Sequence, residues 1–125
     1  MENKPEITIS RSDVAEIEYQ ITQQGLPEEL TSALEDEISR ATLVANNALP
    51  KDVVAIGSQV TFKVLETNNI FTKTLCLPSD INKYEDTISI FAPIGSAIIG
   101  LRVGQRINWQ VQRANQTVEI ISVAQ

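Results

Sequence analysis

The chain has 125 residues, 42% apolar and 21% charged, with one cysteine and no histidine. That size and balance suit one compact soluble domain with a small appendage, and without histidine a Ser–His–Asp triad, a Cys–His nucleophile pair and a zinc finger are excluded. The net charge of −6 is unevenly placed: residues 12–39 hold eight acids and no base, a stretch that a phosphate backbone repels and a positively lined groove attracts.

Taken in chain order, Pro5–Ser10 reads as a lead-in. Asp13 is placed to cap a helix, with Glu16 three residues on completing a capping-box pair. Val14, Ile17 and Ile21 fall on one face of that helix, and Gly25 predicts its end. Pro27 suits the first position of a second helix, and Glu28 and Glu29 favour its positive end. Leu30, Leu34, Ile38, Ala41 and Ala45 form a narrow apolar stripe, as in a coiled-coil seam, predicting a helix that runs to about residue 45. Asp36 and Arg40 are spaced as an i, i+4 pair. Two helices joined by so short a link form an antiparallel hairpin. Their stripes are narrow enough that the predicted seam lies between the two helices alone.

Asn46–Pro50 is a breaker cluster that predicts a boundary. It separates an acidic arm, residues 1–47, from a sheet domain, residues 48–125. Val53–Ile56 reads as a short strand. Gln59–Glu66 alternates, with Val60, Phe62 and Val64 on one face, and Ile70–Leu77 returns as its hairpin partner. Pro78–Asp86 is a polar loop, Thr87–Phe91 a third strand, and Pro93–Leu101 one or two helical turns. Arg106–Gln112 and Thr117–Val123 are strands around a turn at Arg113–Gln116. The fold class is α+β: a short helical hairpin plus a small antiparallel sheet crossed by one short helix. Cys76 stands alone, which fits a reducing compartment. No apolar run reaches the roughly 18 residues of a membrane span, and the first residues lack the pattern of a signal peptide. The expected location is the cytoplasm.

The stretch Ile88–Gly104 carries a resemblance. Ile88-Ser89-Ile90 as a strand, Ala92-Pro93 as a turn, Ala97-Ile98-Ile99-Gly100 as a helix end and Gly104 before the next strand resemble the C-terminal domain of the Gre-type transcript cleavage factors. Leu49-Pro50-Lys51-Asp52-Val53-Val54, Gly100-Leu101-Arg102-Val103-Gly104-Gln105 and Ile107-Asn108-Trp109 are similar to a short-armed branch of that family, the regulators of nucleoside diphosphate kinase. The match spans nearly the whole chain. Gln105 departs from it, standing where the family usually has Asp.

The resemblance implies an FKBP-like sheet domain that grips the rim of the secondary channel of RNA polymerase, and a coiled coil that enters the channel. It places the gripping surface at Phe91, Ala92, Pro93, Ile94 and Gly95. The family's acid and hydroxyl before the proline are replaced here by Phe91 and Ala92, and strand alternation from Ile88 and Ile90 turns Phe91 partly outward. The arm tip is Gly25, Leu26, Pro27, Glu28 and Glu29. Cleavage needs carboxylates that help hold a second Mg²⁺, and the family's tip carries Asp-x-x-Glu. Here the only such pair, Asp13 and Glu16, lies at the base of the arm, and Glu28 and Glu29 point about 100° apart.

The expectation is therefore a non-enzymatic, monomeric transcription regulator without cofactor or metal. It docks on polymerase, meets nucleic acid only through that partner, competes with Gre-type factors and alters nucleoside diphosphate kinase indirectly. Three alternatives stand beside it. One is a cleavage or elongation factor using Glu28 and Glu29. Another is an FKBP-type peptidyl-prolyl isomerase, although Phe62, Phe71, Tyr84, Phe91 and Trp109 are scattered and Trp109 suits the core. The third is a scaffold that contacts the kinase directly.

Overall fold

The computed structural model describes residues 6–111 and 114–124; Pro5, Arg113 and the side chains of Leu30 and Trp109 lie outside the described residues. The first regular element is a strand, β1 (Thr8–Ser10), where the sequence suggests only a lead-in. Ser10 ends it in extended backbone and caps α1 (Arg11–Gln24), its hydroxyl accepting the Asp13 N–H at 3.2 Å. Ser10, not Asp13, is therefore the cap, because the extended strand end puts the serine oxygen over the first free amides of the helix. Gly25 closes α1 with φ of 55°, as the sequence predicts. Pro27 then precedes α2 (Glu28–Arg40) as its cap residue, one place earlier than predicted, with Glu28 and Glu29 in the first turn.

α2 stops at Arg40 instead of continuing to residue 45, and Arg40 pairs with Glu37. The reason is a competing partner for the backbone. Thr42–Val44 forms β2, which pairs in parallel with β1 in the register Thr8↔Thr42 and Ser10↔Val44. The Thr42 N–H donates to Ile7 O at 2.9 Å. Ala41 and Ala45 thus leave the helical stripe. The two helices form the crossover that a parallel pair requires.

The larger sheet comprises β3 (Gln59–Val64), β4 (Asn69–Cys76), β5 (Thr87–Ser89), β6 (Arg106–Val111) and β7 (Ala114–Ala124), in the order β5-β4-β3-β7-β6. It is mixed, not antiparallel throughout: β4 and β5 run parallel, with Thr74↔Thr87 and Cys76↔Ser89 in register. The connection between them carries a 3-10 helix at Pro78–Lys83 and is long enough to return the chain to the starting end of the sheet. Val53–Ile56 is not a strand. Val53 makes a single bridge to Arg102, and Val54 exchanges hydrogen bonds with Leu101 O and the Gly100 N–H at 2.8 and 2.9 Å. Ala114, Asn115 and Gln116, expected in a turn, are ladder residues of β7.

Val60, Phe62 and Val64 point inward as their alternation predicts, meeting Leu75, Val118 and Ile120. α3 (Pro93–Ile98) covers them with Ile98. Ile17 and Leu34, each 0% exposed, belong to that same core together with Ile7 and Ile9. The predicted seam between the helices alone is therefore corrected: α1 packs on β1 and α2 lies against α3, so one apolar core joins both helices to the sheet.

Asp13, freed from capping, fastens this junction. Its Oδ2 accepts the Ile56 N–H at 3.1 Å, while the Ser12 N–H donates to Asn46 Oδ1 at 2.9 Å. Burial holds the Asp13 carboxyl above the ordinary carboxylate range, with the Glu16 charge acting in the same direction and the Ile56 N–H opposing both. A carboxyl raised in this way binds its proton more tightly in the folded chain. Its contribution to stability is present at low pH and is lost as pH climbs from the unfolded value through the folded one. Asp13→Asn keeps an oxygen for Ile56 and removes the charge. Urea unfolding at about pH 4 and about pH 7 is expected to show a flatter pH response and no loss of stability at the higher pH. A variant clearly weaker than the parent at neutral pH would mean that the charge itself is favourable.

Candidate partner-binding site

Phe91–Gly95 occupies the passage from β5 into α3. The strand ends at Ser89, whose Oγ accepts the Phe91 N–H at 3.1 Å and whose carbonyl accepts the Ala92 N–H at 3.0 Å. Pro93 follows at the first helical turn, where its missing N–H costs nothing. Ser96 then closes the turn, its N–H donating to Ala92 O at 2.9 Å and its hydroxyl to Pro93 O at 3.1 Å. Pro93 is exposed, Phe91, Ala92 and Ile94 are half-buried, and Gly95 is buried. Gly95 therefore presents no surface. It acts by absence: a Cβ there would lie 2.0 Å from the Ser89 carbonyl oxygen.

Ile94 extends this turn into a groove that sequence reading missed. An open cavity of about 280 Å³ is lined by Phe62, Val64, Phe71 and Ile94, with Lys73, Asn69 and Gln116 among its polar groups. Phe62 and Phe71 are register partners on β3 and β4 and stack with ring centroids 5.5 Å apart, an arrangement favourable for aromatic pairs. The signal was available. Asn68, at φ of 60°, turns the hairpin between Val64 and Asn69, and counting outward from that pair brings the two phenylalanines opposite each other.

The tip residues stand apart from this surface. Gly25, Pro27, Glu28 and Glu29 are exposed and Leu26 is half-buried in the link between α1 and α2. Among the described residues no hydrogen bond or ion pair joins the tip to the turn. Asp13 and Glu16 lie at the opposite end of α1, with Asp13 turned to Ile56. No group of three or more potential metal-ligating side chains occurs among the described residues. No helix there is long and apolar enough to cross a membrane.

Gln105, the departure from the family pattern, has a structural role. Its Oε1 accepts the Arg102 N–H at 2.8 Å and its Nε2 donates to Glu6 O at 3.0 Å. An aspartate could supply the first contact but has no donor for the second.

Comparison with known proteins places this architecture. Residues 49–125 match the family described as transcription elongation factor, GreA/GreB, C-terminal. The prokaryotic transcription elongation factor GreA/GreB from Nitrosomonas europaea superposes with a TM-score of 0.75 at 34% identity, covering 98% of this chain and 100% of that one. The GreA factor homolog 1 (Gfh1) of Thermus thermophilus shares the fold, with a TM-score of 0.50 at 16% identity over 97% of this chain and 100% of that one. A mixed sheet with a strand–turn–helix at one edge and a two-helix excursion near the N-terminus is thus the fold of a transcription factor class. The chain belongs to the GreA/GreB transcription elongation factor family. It is similar to the regulator of nucleoside diphosphate kinase of Escherichia coli, 33% identical over 112 residues, 87% of this chain and 81% of that protein. It is also similar to GreA of Bacillus anthracis, 29% identical over 112 residues, 90% of this chain and 71% of that protein.

Proposed function

We propose that this protein is a non-cleaving transcription regulator that binds RNA polymerase at the rim of its secondary channel. It works as two parts, an arm of residues 1–47 and an FKBP-like body of residues 48–125. The body holds the rim through Phe91, Ala92, Pro93 and Ile94, and the acidic hairpin occupies the channel mouth. It competes there with longer-armed Gre-type factors, and its effect on nucleoside diphosphate kinase is indirect, through transcription.

The arm carries this reading. α1 and α2 have 14 and 13 residues, roughly 20 Å each, and the tip presents two adjacent glutamates, in the first turn of α2, instead of acids one helical turn apart. Such a tip has the charge to enter a positive channel and lacks the convergent pair that would share a metal ion. Co-purification with core RNA polymerase tests the reading. Capture is expected, with displacement by an excess of a Gre factor and no trimming of backtracked RNA. Indifference to polymerase, or stimulated cleavage, overturns it. Capture of the kinase without polymerase would point to a direct scaffold.

Phe91→Ala and Pro93→Ala are expected to weaken polymerase binding by about 2 kcal/mol each, the scale of an interface hot spot. Unchanged affinity in both would remove the turn from the interface. Association is expected to slow as salt screens the acidic arm. Phe62 and Phe71 also form the kind of apolar wall a prolyl isomerase would use. No turnover of a proline peptide is expected, and measurable catalysis would replace the present reading.

A further inference from the structure

The Phe62–Phe71 groove and the arm tip carry complementary chemistry, and no contact within one chain joins the two among the described residues. The groove has an apolar floor of Phe62 and Val64 from β3, Phe71 from β4 and Ile94 from α3. The register Val60↔Lys73 and Phe62↔Phe71 puts Lys73 on the same sheet face as Phe71, two residues along the strand and about 7 Å away. Phe71 remains 38% exposed although it stacks on Phe62, so the floor keeps apolar area free for a further contact. Lys73 is the sole charged group lining the groove. It is half-buried, and among the described residues it has no ion pair or hydrogen bond. An open trough of this kind suits a segment of protein better than a metabolite, which is held by enclosing walls.

The tip supplies the match. Leu26 is half-buried, and Pro27, Glu28 and Glu29 are exposed. Proline is already ordered and docks well on aromatic walls. The acids that follow it begin about 4 Å further along the chain, within reach of a lysine set beside the ring. Charge favours the encounter as well: residues 12–39 hold eight acids and no base, whereas residues 40–125 hold eight bases against six acids. We propose that the tip of one copy docks in the groove of a second copy, with Leu26 and Pro27 on the phenylalanine pair and Glu28 and Glu29 meeting Lys73. A contact this small is weak and transient, so the monomer expected from the sequence is one side of an equilibrium that shifts with concentration. Ile94 and the tip also belong to the surfaces assigned above to polymerase, and self-association therefore covers both. That consequence rests on the polymerase reading. The contact itself does not, because its test contains no polymerase.

Sedimentation velocity of the full chain at rising concentration, paired with amide spectra of the labelled protein, tests the contact. Growth of the mean mass is expected by about 1 mM, with concentration-dependent shifts at the amides of Leu26, Glu28, Phe71 and Lys73. Added salt should reverse both. Lys73→Glu, and separately Glu28→Lys with Glu29→Lys, should each weaken association about tenfold or more. An equimolar mixture of these two variants should recover it. The intact tip of the first then meets the intact groove of the second, and the reversed tip meets the reversed groove. Lys63→Glu makes the same charge change on the opposite face of the sheet and should leave association nearly unchanged. A chain that stays monomeric to that concentration, equal losses from Lys63→Glu and Lys73→Glu, or a mixture that fails to recover would each overturn the proposal.

Discussion

Gly95→Ala is expected to lower the unfolding midpoint by about 10 °C, the equivalent of a loss near 3 kcal/mol for a domain of this size. The argument is steric. The added methyl would fall 2.0 Å from the Ser89 oxygen and 3.0 Å from its carbon. Both are backbone atoms at the end of a paired strand, so no side-chain rotation can relieve the overlap. The helix must lift away from β5, which breaks the contact of α3 with the strand and disturbs the bonds that Ser89 makes to Phe91 and Ala92. Thermal and urea unfolding of the variant measure the effect. A loss below about 1 kcal/mol would mean that the turn is more pliable than its packing implies. Under the proposed function, polymerase binding falls with it, since Phe91 and Pro93 lose their fixed presentation.

Leu34→Ala is expected to cost about 3 kcal/mol, the usual penalty for emptying a fully buried leucine site. Leu34 sits on α2, yet it is wholly enclosed by a core that includes residues of the sheet. Truncating it therefore loosens the helices from the body as well as reducing packing. Urea unfolding reports the first effect, and hydrogen exchange of α1 and α2 amides reports the second. Protection is expected to fall in both helices more than in β3 and β7. A uniform fall across the chain would show that the two helices and the sheet open only together.

Much of this arrangement is legible in the residues. Gly25 and the acids after Pro27 mark the link between the helices, and the alternation of Val60, Phe62 and Val64 identifies the inward face of β3. What escapes is non-local. Residues 41–45 look helical until Ile7–Ser10 claims their backbone, a pairing that no window along the chain contains. Ser10 is overlooked as a cap for the same reason, since its extended conformation comes from that pairing. The parallel placement of β5 depends on the path taken by residues 77–86, which composition does not reveal. In the Phe91–Gly95 turn, the exposure of Pro93 follows from its position at a helix start. The role of Ile94 as a bridge to the Phe62–Phe71 groove needs three strands assembled first.

The pairing of β1 with β2 also bears on how relatives with different reach could be built. The chain departs at Ser10 and comes home at Ala41, with the paired strands beneath, so whole turns can be spliced into both helices in equal number while each strand keeps its neighbour. Grafts that exchange residues 11–40 should therefore be accepted as cassettes, provided the first turns keep their contacts to Ile56 and Asn46. Reach becomes a dimension that evolution or an engineer can adjust without redesigning the foundation.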